Sequence, residues 1–439
     1  MSKIESKDCL KEFIWYASLN VLGMIGLSCY ILADTFFVAK GLGSNGLAAL
    51  NLAIPVYSFI HGTGLMLGMG GATRYSILKS QKRSREGNAA FSHTMILGLL
   101  AAALFLGAGL FLAELITTWL GADAAVFSMC RTYLTVLLLF SPIFLLNDMM
   151  LCFVRNDGAP QLAMAAMLIG SLSNIVLDYI FIFPCRMGIF GAVLATGFAP
   201  IISLLIQSSF FLKKKNQFHM VRFRPTIGTV RTILVTGVPS LVTELSSGIV
   251  MIVFNAIILG LSGNSGVAAY GVIANLSLVV IAVYTGIAQG CQPLISKYFG
   301  LGRREHIRAL LRYALLTVTA ISLVLYACVF LGAQGITALF NSEQDAVLAA
   351  IAVPGLRIYF TGCIFAGLNI VLCSYFSSSD RARPANILSL LRGFFVIIPA
   401  AFLLSELFAL AGLWAAFPVT EALVAGVGMV FYRKCRRPE

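Results

Sequence analysis

The sequence predicts an all-α polytopic membrane protein, with twelve transmembrane helices in two pseudo-symmetric six-helix lobes. Three observations carry the prediction. Of 439 residues, 59% are hydrophobic and only 11% charged, with a mean hydropathy of +0.92, far from the balance of a soluble domain. Apolar stretches of about 20 residues, enough to cross a hydrocarbon core of about 30 Å, recur twelve times. The second half also repeats the first at an offset of about 220 residues: GSNGLAAL (Gly43 to Leu50) meets GNSGVAAY (Gly263 to Tyr270), Ile116-Thr117 meets Ile336-Thr337, and Arg131-Thr132-Tyr133 meets Arg357-Ile358-Tyr359.

The first six helices are expected at 11–37, 47–71, 90–117, 130–154, 162–183 and 189–212. The remaining six follow at 231–260, 267–295, 309–333, 346–376, 385–405 and 409–431. Helix 1 stops at GLGSNG and helix 7 at LSGNSG, where glycine permits a tight turn at the membrane surface. Pro55, Pro142, Pro239 and Pro399 fall inside helices 2, 4, 7 and 11, each freeing a backbone carbonyl and bending its helix. The lobes are therefore 1–212 and 231–439, joined by the basic segment 213–230. Because six is even, both lobes start on the same side, which gives parallel repeats about an axis along the membrane normal.

The formal net charge is +13, but its placement argues for topology and not for nucleic acid. Of 31 lysines and arginines, all except Lys40, Arg131, Arg186 and Arg357 fall on the side of the two termini, counting Arg381, Arg383 and Arg392 around the loop between helices 10 and 11. By the positive-inside rule both termini are cytoplasmic. The run Lys213, Lys214, Lys215 with Arg222 and Arg224 is a topology signal and a contact for anionic lipid. The N-terminus MSKIESKDCLKE lacks the layout of a cleaved signal peptide. The ten cysteines are scattered with no CxxC pair, so neither a disulfide framework nor a zinc site is suggested. His61 and His93 have no ligand partner in sequence, and His61 reads as a rim or core histidine or as a proton relay.

Embedded carboxylates carry the functional signal. An aspartate at membrane depth costs about 2.5 to 3.5 kcal/mol on insertion scales, so it persists where it faces a cavity or a partner. Five acids lie well inside the apolar helices: Asp34, Asp148, Asp178, Glu244 and Glu421. Helix 1 runs outward, and Asp34 precedes Lys40 at its outer end; Asp178 precedes Arg186 on helix 5 in the same way. At 1.5 Å per residue both carboxylates sit roughly 9 to 12 Å below the outer surface. Thr196 on the returning helix 6 reaches a comparable level, and Asn174 shares the face of Asp178 one turn deeper. Two carboxylates, an amide and a hydroxyl at one level can hold a proton or a sodium ion. The alternative is two independent packing contacts.

In the second half, Glu244 and Glu421 are about mid-membrane and could attract a cation, serve a second proton step or make structural hydrogen bonds. Asp148 lies close to the cytoplasmic rim, where snorkelling would suffice, and Gln289 and Gln292 read as helix-packing polar contacts. Tyr133 and Tyr359 are candidates to line a substrate cavity, and Asn255 is a further candidate for a substrate or second proton site. At the place equivalent to Asp34, helix 7 has Phe254 and Asn255 and no acid.

The segments ADTFFVAKGLG in helix 1, NIVLD ending at Asp178, GAVLAT ending at Thr196 and GIAQGCQPLISKYFGLGRR around helices 8 and 9 resemble the multidrug and toxic compound extrusion (MATE) transporters over nearly the whole chain. The resemblance implies ion-driven export of organic cations and other amphipathic compounds from a prokaryotic inner membrane by a monomer without cofactor. It also implies a first-lobe coupling site at Asp34, Asn174, Asp178 and Thr196. Some family members add an acidic pair on helices 7 and 10; helix 10 here has no carboxylate, which speaks against a second-lobe sodium site. A flippase for a lipid-linked saccharide is the alternative, but its anionic cargo calls for a basic cavity. An enzyme would need a motif such as HExxH, which the sequence lacks.

Overall fold

The computed structural model describes residues 3–222, 224, 226–340 and 345–436. Every regular element among them is helical. Among the described residues, eight helices are long and apolar enough to cross a membrane, and a ninth span is formed by Phe127–Leu139 with Ser141–Asn156, bent by 50°. Three of these spans divide in two at internal backbone breaks, at Gly43, at Gly263 and at Phe408–Ala409. Twelve crossings result, in the expected order.

The breaks confirm the repeat at the level of the backbone. Gly43 has φ 68° and ψ −160°, and Gly263 has φ 63° and ψ −155°. That region is open essentially to glycine alone, so the first glycine of each GxxG element turns the chain between helices 1 and 2 and between helices 7 and 8. Helix 4 bends next to Pro142, which opens its second half at Ser141. Helix 10 passes through a 3₁₀ turn at Phe360–Gly362. Helix 11 carries a π turn at Leu391–Phe395, four residues before Pro399. Proline has no N–H for the Phe395 carbonyl, so a wider local turn is the available accommodation.

Helices cluster into two compact units, Ser18–Leu245 with Ser296–Arg303, and Met1–Ala17 with Ser246–Ile295 and Arg304–Glu439. One boundary between units thus falls within helix 7, past the basic segment, and others fall within helix 1 after Ala17 and on either side of Ser296–Arg303. In the first unit, helices 2 and 7 approach closely: a Cβ on Gly70 would meet the Ile233 carbonyl oxygen at 2.0 Å, and one on Gly237 the Met66 oxygen at 1.9 Å. This contact presents the first half of helix 7, with Glu244, to helix 2.

The basic segment is seated, not a free tether. Phe218 is fully buried among Phe91, Phe153, Phe210 and Tyr75. Around it, the Gln217 N–H donates to Asp157 Oδ2 at 2.7 Å, and the Val221 N–H to Ser92 Oγ at 3.0 Å. His93 is satisfied at both nitrogens, by the Ala89 carbonyl at 2.7 Å and the Thr226 N–H at 3.3 Å.

Candidate functional site

The four residues expected to form a cluster come together in the first unit. Asp34, Asn174, Asp178 and Thr196 are all buried, Asn174 and Asp178 completely. Helix 1 supplies Asp34, helix 5 supplies Asn174 and Asp178 one turn apart, and helix 6 supplies Thr196. With its amide turned to the orientation that satisfies both neighbours, Asn174 donates to Asp178 Oδ2 at 2.9 Å and accepts from the Thr196 N–H at 3.3 Å. The Thr196 hydroxyl donates to the Ala192 carbonyl at 3.1 Å and is also in contact with the Tyr133 hydroxyl. Asp34 and Asp178 are in side-chain contact. One oxygen of each, Oδ1, is buried with no hydrogen-bond partner.

That last feature sets the chemistry. A carboxylate oxygen removed from water and left unpaired is expensive, and here two such oxygens belong to carboxyls in contact. A proton or a small cation between them would supply what the protein withholds. Tyr133, anticipated as a cavity aromatic, contacts this site through Thr196. Tyr30, one turn before Asp34, points its hydroxyl to that of Tyr57 at 2.7 Å. Its spacing of four from Asp34 was a usable signal.

The other first-unit acids are placed differently from expectation. Asp148 does not snorkel at the rim; it is buried, and its Oδ2 lies 2.8 Å from His61 Nδ1. Glu244 belongs with this pair in the first unit.

In the second unit the position equivalent to Asp34 is filled with rings. Phe254 stacks on Tyr270 and Tyr270 on Trp414, with centroids 5.5 and 5.9 Å apart. Asn255 is half-buried beside them in sequence. Tyr359 stacks on Phe417 at 4.4 Å and contacts Ser277. Glu421 is 2% exposed and receives Arg392 Nε at 2.5 Å on Oε1 and Asn369 Nδ2 at 2.7 Å on Oε2. Arg392 is therefore no loop residue: it sits in the π turn of helix 11, and the loop count of basic residues included it wrongly.

The MatE family model matches residues 21–180 and 239–403. The chain belongs to the MatE family. Among its relatives, Multidrug export protein MepA of Staphylococcus saprophyticus is 25% identical over 97% of this chain and 94% of its own. The MepA of Staphylococcus aureus is 24% identical over the same shares. A crystal structure of a MATE protein in complex with MaL6 superposes with a TM-score of 0.91 at 24% identity, covering 97% of this chain and 96% of the other. The outward-facing structure of a multidrug resistance MATE family transporter gives 0.89 at 24%, covering 97% and 95%. The MatE match spans both halves of the repeat and includes Asp34, Asn174 and Asp178, with Thr196 in the interval between the matched ranges.

Proposed function

We propose that this MatE protein is a secondary antiporter that exports organic cations or other amphipathic compounds in exchange for protons or sodium ions. The observation that carries the reading is the Asp34/Asp178 contact, with an unpartnered buried oxygen on each carboxyl. Export of amphipathic compounds follows the relatives named for multidrug export.

In this mechanism the two six-helix repeats, 1–212 and 231–439, alternate access to a substrate held between membrane faces, with both termini cytoplasmic. Loading the Asp34/Asp178 pair with one cation removes net charge from an apolar site. The state that keeps the pair closed gains relative to the state that exposes it, and the equilibrium shifts by that differential affinity. Asn174, Thr196 and Tyr133 fix the geometry: the Asn174 amide holds one Asp178 oxygen, so the other is left for the ion. Asp34→Asn is expected to keep expression and to abolish ion-driven efflux of a cationic dye from sealed vesicles; normal efflux by this variant refutes the mechanism.

A further inference from the structure

The first unit buries a second set of titratable side chains that the coupling pair does not use. His61 stands on helix 2, Asp148 on helix 4 and Glu244 on helix 7. His61 Nδ1 and Asp148 Oδ2 are 2.8 Å apart, with side chains 14% and 6% exposed. Glu244 is near enough to interact electrostatically with both. Helix 2 is cleared of side chains where the acids approach: a Cβ on Gly64 would lie 2.7 Å from Asp148 Oδ2, and one on Gly62 would lie 3.1 Å from Glu244 Cβ.

The composition of this set points to protons. One imidazole and two carboxyls away from water reach neutrality only by taking up one proton beyond the imidazolium–carboxylate pair. Among the described residues no group of three such side chains is arranged to hold a metal ion. Other polar and aromatic groups pack close by. Tyr57 stacks on the His61 ring with planes 9° apart. Cys152 lies one turn past Asp148, and Arg155 donates to Asn20 Oδ1 at 2.6 Å and to the Cys152 sulfur.

Position gives the set a direction. From Asp34, Tyr30 is one turn back along helix 1; its hydroxyl meets that of Tyr57 at 2.7 Å, and His61 is one turn further along helix 2. Helices 1 and 2 run in opposite senses across Gly43, so both steps lead away from that turn, toward the end of the bundle where helix 1 begins.

We propose that His61, Asp148 and Glu244 form a second proton site, through which the coupling proton passes between the Asp34/Asp178 pair and the membrane face that carries the termini. In the transfer the carboxyl pair loses one proton and the second set gains one. The Tyr30 and Tyr57 hydroxyls each accept one proton and release one, ending neutral. The proposal rests on the proton-driven form of the antiport reading.

The test uses the full chain in proteoliposomes with ethidium as probe, measured in two ways: transport driven by a pH gradient, and ethidium–ethidium exchange at equal pH. His61→Gln and Glu244→Gln should each slow driven transport about tenfold or more, as loss of a proton-transfer group does. Tyr57→Phe, which keeps the ring and its volume but removes the relaying hydroxyl, should slow it to a similar degree. Exchange by His61→Gln and Tyr57→Phe should stay within about twofold of the unaltered protein, because neither is placed on the substrate path. Driven transport at the unaltered rate in all three variants, with Asp34→Asn inactive, overturns the second site and leaves the antiport reading standing. Driving by a sodium gradient alone has the same consequence. Equal loss of exchange and driven transport in both His61→Gln and Tyr57→Phe also overturns it, since the cluster is then structural. Normal driven transport by Asp34→Asn strikes the antiport reading itself.

Discussion

Replacing Arg392 with methionine separates a structural role for Glu421 from a coupling role. The Glu421 carboxylate has two polar contacts, Arg392 on Oε1 and Asn369 on Oε2, and Asn369 also donates to the Glu421 backbone carbonyl. With the Glu421 side chain 2% exposed, loss of the guanidinium leaves a buried carboxylate with one neutral donor. Breaking one side of such a pair costs about 3 to 5 kcal/mol, whereas replacing both charges with groups of similar volume is often neutral. Arg392→Met should therefore lower the stability of the detergent-solubilised protein by about that amount in a denaturant titration, and Arg392→Met with Glu421→Gln should recover most of it. Driven transport should return with the double substitution. A single variant as stable as the parent, or a double variant that is stable but cannot couple to the gradient, refutes the structural assignment.

Three further outcomes follow from the geometry. Phe218→Ala should cost about 3 to 5 kcal/mol and make residues 213–222 newly sensitive to limited proteolysis, because that ring anchors the segment. Gly43→Ala and Gly263→Ala should each destabilise by about 1 to 3 kcal/mol, given their shared positive φ; equal stability to the parent in thermal unfolding contradicts the role assigned to the two turns. Asn174→Ala should remove the donor to Asp178 and the acceptor for Thr196 N–H, weakening ion coupling without loss of expression, as read from dye efflux against ion gradient. Unchanged coupling in that variant counts against the amide as a fixing group.

Much of the fold was legible because a bilayer imposes a length on apolar segments and because the chain repeats itself. The 220-residue offset led to Gly43 and Gly263, whose backbone angles nearly coincide. That Asp34 and Asp178 meet was legible as well: burial cost marks them among the five embedded acids, and the 1.5 Å rise puts them at one depth. The missing parts were contacts between helices far apart in sequence. Nothing local links His61 to Asp148, and Arg392 next to a basic loop looked like loop charge until its π turn placed it on Glu421. The buried Phe218 was likewise hidden inside a segment dominated by lysine and arginine. Charge suggested a topology, but not which charges were paired.

The central claim is that the Asp34/Asp178 pair couples an ion gradient to export. Its most direct test is ethidium transport in proteoliposomes, with a pH gradient and a sodium gradient imposed separately on the parent protein and on Asp34→Asn. The account predicts that one of the two gradients drives the parent and that neither drives the variant. Equal transport by both proteins under the driving gradient, or transport by the parent that ignores both gradients, contradicts it.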